Sequence, residues 1–254
     1  MTGALSIGIA AAAGPAVAAA TARAAEHAGL RALWVNDTAG HDALAVLAAA
    51  AEATDRLVLA TGVLPVDRRS PREILERAAG LPQDRLVLGI GSGQARTGAV
   101  DRVRDAVAEL RAGTSARIVV GALGPRMRRR GAAASDGLLL SWLTPELARA
   151  QSAEAHDGAP DTHVALYVRA ASDPAAVGRL RAEADTYAGY AVYRSHFDRV
   201  GIGARDTTIE PTALAGSIPR YRDAADELVL RVMTAGDTAD EYVRFIDDVR
   251  SAVR

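Results

Sequence analysis

The 254-residue chain contains no cysteine. That excludes disulfide bridges, thiolate metal sites and a cysteine nucleophile, and it agrees with a reducing compartment. Aromatic residues make up only 4% of the chain, so a core must be assembled from Leu, Val, Ile and Ala, a composition that suits helices packed closely on a sheet. Neither sign of charge is in excess: 30 basic against 31 acidic residues leave a net charge of −1. A nucleic-acid or anionic-membrane partner is therefore not expected, and the run Arg126, Arg128, Arg129, Arg130 is too short to change that. No apolar stretch is long enough to span a bilayer. The alanine-rich start, Ala4 to Ala20, has no basic leading segment and is broken by Gly14-Pro15, so it does not read as a signal peptide. A cytoplasmic protein without a metal site is expected.

What is present is alternation. Short β-rich runs fall at Leu5–Ala10, Ala32–Asn36, Leu57–Val63, Leu86–Gly91, Arg117–Leu123, Gly137–Trp142, His163–Arg169 and Glu227–Val232. Helical patterns separate them: Pro15–Ala28, Asp42–Ala53, Pro71–Ala79, Val100–Ala112, Pro125–Ala134 and Pro145–Ala155, more than one helix between Asp173 and Arg222, and a last one over Ala239–Val253, capped by Asp237-Thr238. Proline near a start and glycine past an end give several of these their boundaries. Regular βα alternation implies a parallel sheet with right-handed crossovers. Eight units in this length predict an α/β fold of one (β/α)₈ TIM barrel, a single domain over 1–254.

The centre of the pattern is Arg85 to Gln94, RLVLGIGSGQ. Its continuous apolar run reads as a strand buried on both faces. Gly91, Ser92 and Gly93 follow where the strand stops, and either admit a ligand close to the backbone or simply make a tight turn. In a barrel the functional face is the C-terminal end of the strands. That places Asn36-Asp37-Thr38, Thr61-Gly62-Val63, Gly91 to Gln94, Leu123-Gly124-Pro125-Arg126 and Ser141-Trp142 around one mouth. Pro125 at a helix start, with Gly124 before it, offers free N–H groups and the positive end of a helix dipole, an anion seat or an ordinary helix start.

The segments AEHAGLRALWVND, RLVLATGVLPVDRRSP, RLVLGIGSG, GALGPRM and DGLLLSWLTPE resemble, in order, the signature segments of the bacterial luciferase-like superfamily of flavin- and deazaflavin-dependent oxidoreductases. The resemblance implies a cofactor, coenzyme F420 in preference to FMN, lying across the mouth against a bulge at Thr61, Gly62 and Val63, with a non-proline cis peptide at Gly62–Val63. It implies that Gly91, Ser92 and Gly93 approach the ring, so that a side chain at Gly62 or Gly93 would enter the ring's space. It further implies that Leu123, Gly124, Pro125, Arg126 and Met127 hold the phosphate, and that Trp142 walls the ring or packs as core.

Asp37, Thr38 and Gln94 stand where relatives carry catalytic side chains. Some have a histidine at the position of Thr38 and a glutamate at that of Gln94, and neither replacement titrates near neutrality. Hydride transfer to or from a positioned ring, with a small-molecule substrate, is what these residues suit. The alternative is a non-catalytic barrel acting as a binding or assembly protein. Relatives are commonly dimers, so a homodimer is the expected assembly. Only one helix fits between Gly93 and Arg117, where relatives often carry an insertion, which leaves the mouth either open or completed by a partner subunit.

Overall fold

Eight positions around a parallel barrel are occupied in chain order in the computed structural model, which describes residues 2–94 and 97–253. The strands are β1 (Ala4–Ala10), β2 (Ala32–Asn36), β3 (Val58–Thr61), β4 (Leu64–Pro65), β5 (Leu86–Gly91), β6 (Arg117–Gly121), β7 (Gly137–Ser141), β8 (His163–Ala170) and β9 (Glu227–Val232). Every pairing is parallel, and contacts of β5 with both β3 and β4 close the ring. The expected third strand is thus interrupted: β3 and β4 are its two halves, and the Gly62–Val63 peptide bond between them is cis, as the resemblance implied.

Ten α-helices cover the barrel among the described residues. They are α1 (Gly14–His27), α2 (Ala43–Glu52), α3 (Pro71–Ala78), α4 (Ala99–Gly113), α5 (Pro125–Ala134), α6 (Pro145–Gly158), α7 (Val177–Gly189), α8 (Ala191–Val200), α9 (Leu214–Arg222) and α10 (Ala239–Ala252). Side chains cap several starts. Ser70 accepts from the Glu73 N–H at 3.2 Å, and Glu241 reaches back to the Thr238 N–H at 2.9 Å in a capping box. None of these helices is long and apolar enough to cross a membrane.

Alternation along each strand sorts residues between two cores. Ile7, Leu33, Leu59, Leu88, Ile118, Leu138, Leu166 and Leu230 point outward beneath the helices. Ala32, Trp34, Ala60, Val87, Val119, Leu139, Ala165, Tyr167 and Val229 fill the inside. Small outward alanines such as Ala18, Ala22 and Ala25 of α1, all wholly buried, let helices approach each other closely, as the low aromatic content requires.

The barrel floor is polar and built on Glu227. Its carboxylate accepts from Ser6 Oγ at 2.6 Å, Trp34 Nε1 at 2.7 Å and Arg31 Nε at 3.1 Å, and lies 2.8 Å from His163 Nε2. A cavity of about 10 Å³ remains beside it, room for no more than one water. Among the described residues the N-terminal pole is therefore nearly filled. Burial pushes the Glu227 carboxyl up, but the hydrogen bonds from His163, Ser6 and Trp34 outweigh it and hold the carboxyl below its ordinary value.

Because the folded pKa is depressed, the contribution of Glu227 is present above the unfolded value and is lost as pH falls through the folded one. Glu227→Ala, which leaves four donors around a void, should cost about 3–5 kcal/mol at pH 7, read by urea unfolding. The gap from wild type should narrow as pH is lowered below about 4.5. A gap independent of pH would contradict the assignment.

Candidate active site

The loops at the C-terminal ends of the strands converge on one mouth, and its first organiser is the break between β3 and β4. Thr61 is buried, and its hydroxyl donates to the Gly89 carbonyl at 2.9 Å. A Cβ added at Gly89 would stand 2.0 Å from the Thr61 carbonyl oxygen, and one at Gly91 would stand 2.7 Å from Val63 Cγ2. The glycines of β5 therefore admit the Val63 side chain and the Thr61 backbone. Gly93 has φ +62° and faces the Asp67 carboxylate, which an added Cβ would meet at 1.8 Å; Asp67 also accepts from the Gln94 N–H at 2.8 Å. At Gly62 an added Cβ would approach Leu139 and Trp34 at 3.3 Å, inside the barrel. An added Cβ therefore meets protein at both positions, the Asp67 carboxylate at Gly93 and, in a tight contact only, Leu139 and Trp34 at Gly62.

Asn36, at the end of β2, fixes the break in place. Its Nδ2 donates to the Gly62 carbonyl, and its Oδ1 accepts from the Tyr167 hydroxyl and, at 3.3 Å, from Arg231 Nε. The next two residues point different ways. The Asp37 carboxylate is engaged at both oxygens by Arg69, at 2.9 Å each, and accepts from the Ala43 N–H at 3.2 Å. It anchors the loop to the rim, where a cavity of about 390 Å³ is walled by Asp37, His41, Asp42, Arg68, Arg69 and Arg77. The Thr38 hydroxyl, in contrast, is buried and has no hydrogen-bond partner. Ser92 is half-buried at the mouth, while the Gln94 side chain is exposed.

At the start of α5 no side chain caps the helix, and nothing lies within 4 Å of the position a Gly124 Cβ would take. The N–H groups of Arg126 and Met127 belong to this uncapped first turn. Leu123 and Met127 are half-buried, and Met127 packs on the outer core. Positive charge gathers here. Arg126 is exposed, and Arg128 is buried with its Nε unpartnered and Nη2 paired to Glu154 at 2.5 Å. From α8, Arg199 Nη2 donates to the Leu123 carbonyl at 2.9 Å.

Trp142 has φ 59°, a conformation that favours glycine, and its carbonyl lies 2.9 Å from His196 Nε2. Burial pushes His196 below its ordinary pKa. The neutral ring donates from Nε2 to that carbonyl and accepts at Nδ1 from Arg199 Nη2 at 3.0 Å. Tyr187, Tyr193 and Phe197 pack around the indole, whose own Nε1 is buried and unpartnered. Helices α7 and α8 thus cover the Trp142 side of the mouth, so the cover missing after β5 is supplied later in the chain.

The wall formed by β8 and β9 carries Arg169 and Arg231, 4% and 8% exposed. Arg169 Nε donates to Glu183 Oε1 at 2.8 Å and its Nη1 to Ser141 Oγ at 3.1 Å. Its guanidinium lies 3.7 Å from the Trp142 ring centroid, within cation–π range. Arg231 Nη2 lies 3.6 Å from the other Glu183 oxygen. Sequence reasoning passed over both arginines, although a signal was there: each is a charge near the end of an otherwise apolar strand, HVALYVRA and ELVLRV.

Residues 3–100 match the luciferase-like monooxygenase family, so the resemblance is borne out over that span. No curated protein matches the sequence. Among solved structures, an F420-dependent secondary alcohol dehydrogenase in complex with an F420–acetone adduct is 17% identical over 100% of both chains, with a TM-score of 0.76. The coenzyme F420-dependent tetrahydromethanopterin reductase from Methanopyrus kandleri is 14% identical over 100% of both, with a TM-score of 0.69. The oxygenating constituent of 3,6-diketocamphane monooxygenase from Pseudomonas putida, in complex with FMN, is 13% identical over 98% of both, with a TM-score of 0.70. At these identities the likeness is one of fold.

Gly89→Ala should lower the unfolding free energy by about 1–3 kcal/mol or more, since its Cβ is blocked by backbone. Chemical denaturation of the ligand-free protein reads this directly. Wild-type stability in that variant would mean that Gly89 serves something other than the fold.

Proposed function

We propose that this chain is a luciferase-like oxidoreductase that passes a hydride between a bound cofactor, coenzyme F420 in preference to FMN, and a small organic substrate at the C-terminal mouth. The observation that carries this reading is the Thr38 hydroxyl, buried and unpartnered on the loop after β2. An unmade hydrogen bond at a buried group costs about 1–3 kcal/mol, and a ring carbonyl placed there restores it. The preference for F420 comes from the GALGPRM segment.

The residues present fit such a cofactor. Asn36 holds the Gly62 carbonyl, and with it the Thr61–Val63 bulge on which the ring would rest. The uncapped start of α5 has open space at Gly124, and the N–H groups of Arg126 and Met127 would hold the phosphate there. Arg126 and Arg199 would add charge. When bound, the cofactor supplies the hydride acceptor or donor. The chain's own part is to seat and orient: the Arg69 clamp occupies Asp37, Gln94 has no proton to move near neutrality, and burial keeps the Tyr167 phenol protonated.

One observation favours a second reading, a non-catalytic barrel acting as a binding or assembly protein. Packing against Val63 and the Thr61 backbone accounts for Gly89 and Gly91, so these glycines alone do not call for a ligand.

Titration with F420 and with FMN, followed by fluorescence or absorbance, separates the readings; saturable binding of one supports the first, and binding of neither at tens of micromolar contradicts it. Thr38→Val should weaken the cofactor roughly fivefold to tenfold, the loss of about 1 kcal/mol. The same change should leave the melting temperature unchanged or raise it, because it removes an unsatisfied buried hydroxyl. Unchanged affinity would take Thr38 out of the site.

A further inference from the structure

The β8–β9 wall of the mouth holds more positive charge than it neutralises. Arg169 and Arg231, both buried, share one carboxylate, Glu183. Arg179, also close to Glu183, is paired with Asp237. Three guanidinium groups thus face two carboxylates. A buried charge without a counter-charge is expensive, and the imbalance extends to hydrogen bonding. Arg169 Nε and Nη1 are used by Glu183 and Ser141, while its Nη2 makes no hydrogen bond among the described residues. The indole against which Arg169 stacks has its own Nε1 buried and unpartnered. The wall thus offers one unneutralised positive charge, Arg169 Nη2 without a hydrogen bond, and the Trp142 N–H buried without a partner. The group that satisfies all three is an oxyanion.

We infer that the substrate of the proposed reaction carries a carboxylate or comparable oxyanion, received by Arg169 Nη2 and Trp142 Nε1 on the β8–β9 wall. The inference rests on the mouth being the reaction site. Arg231 and Glu183 position the receiving guanidinium: Glu183 holds Arg169 by its Nε and Ser141 takes its Nη1. The proposed cofactor seat uses other groups, the Thr38 hydroxyl, the Thr61–Val63 bulge and the start of α5. The charge on β8 and β9 is accordingly assigned to the second ligand.

The test uses butyrate, with uncharged butyramide as its control, titrated into the cofactor-free protein while tryptophan emission is followed. Trp34 is buried inside the barrel, whereas Trp142 packs beneath α7 and α8 against Arg169, so a change on binding reports Trp142. Butyrate is expected to saturate at least tenfold more tightly than butyramide. Arg169→Gln should remove that preference while leaving cofactor affinity unchanged. Glu183→Gln should tighten butyrate severalfold, because a competing carboxylate is gone.

Equal binding of butyrate and butyramide overturns the inference. So does butyrate binding that survives Arg169→Gln, or an Arg169→Gln loss that falls on the cofactor instead, which would give the charge to the cofactor ring. Should Arg169→Gln fail to fold by circular dichroism, Glu183→Gln decides, and unchanged or weaker butyrate binding there overturns the inference. Butyrate binding without cofactor binding supports this site and contradicts the oxidoreductase reading alone.

Discussion

The side chain of Asn36 is the tie on which the mouth of this barrel depends. Its Nδ2 holds the Gly62 carbonyl, and its Oδ1 collects the Tyr167 hydroxyl and Arg231 Nε. The β3–β4 break, β8 and β9 are thereby tied to β2 at one amide. The third barrel strand can break between β3 and β4 because its carbonyl has a partner at that point, and a buried carbonyl without one would be costly. The break then pushes Val63 toward β5 and β6, where only glycine leaves room: an added Cβ at Gly91 or Gly121 would stand 2.7 or 3.0 Å from its methyl groups.

The two ends of the barrel are chemically opposite. At the N-terminal pole Glu227 has as many donors as it can use, and the floor is filled. At the C-terminal mouth polar groups are left over: the Thr38 hydroxyl, the Trp142 indole N–H and an unneutralised guanidinium. Saturated networks hold a fold together, whereas unsaturated buried groups impose a standing cost that a ligand can relieve. The mouth also divides by chemistry. The wall from β2 to α5 offers a hydroxyl, a bulge and a bare helix start flanked by Arg126, Arg128 and Arg199, and the wall of β8 and β9 offers two buried arginines that share one carboxylate.

The barrel was legible in the sequence because its signals are local. Each strand reads as an apolar run, and helix boundaries carry proline, glycine or capping residues. The places where reading strand by strand failed are those decided across the ring. Leu57–Val63 reads as one strand, since nothing in its own residues reveals that Asn36 captures the Gly62 carbonyl. The glycines of RLVLGIGSGQ read as either a ligand approach or a tight turn, and the atoms that approach them belong to Thr61, Val63 and Asp67. The Asp37 carboxylate is turned to Arg69, on a loop 32 residues away, a partner that its own segment does not reveal. Arg199 could not have been found from pattern, because it lies on an exposed stretch of α8 and reaches the start of α5 only through the fold.

The central claim is that the mouth of this barrel seats a flavin-type cofactor. Hydrogen–deuterium exchange of the protein with and without F420, and separately with FMN, tests it most directly, because it reports where a ligand lands as well as whether it binds. The account predicts slowed exchange in the loop after β2 around Thr38, at the Thr61–Val63 bulge, and at the Arg126 and Met127 amides, with the floor around Glu227 unaffected. Unchanged exchange at all three places with either compound, or protection confined to another face, would contradict it.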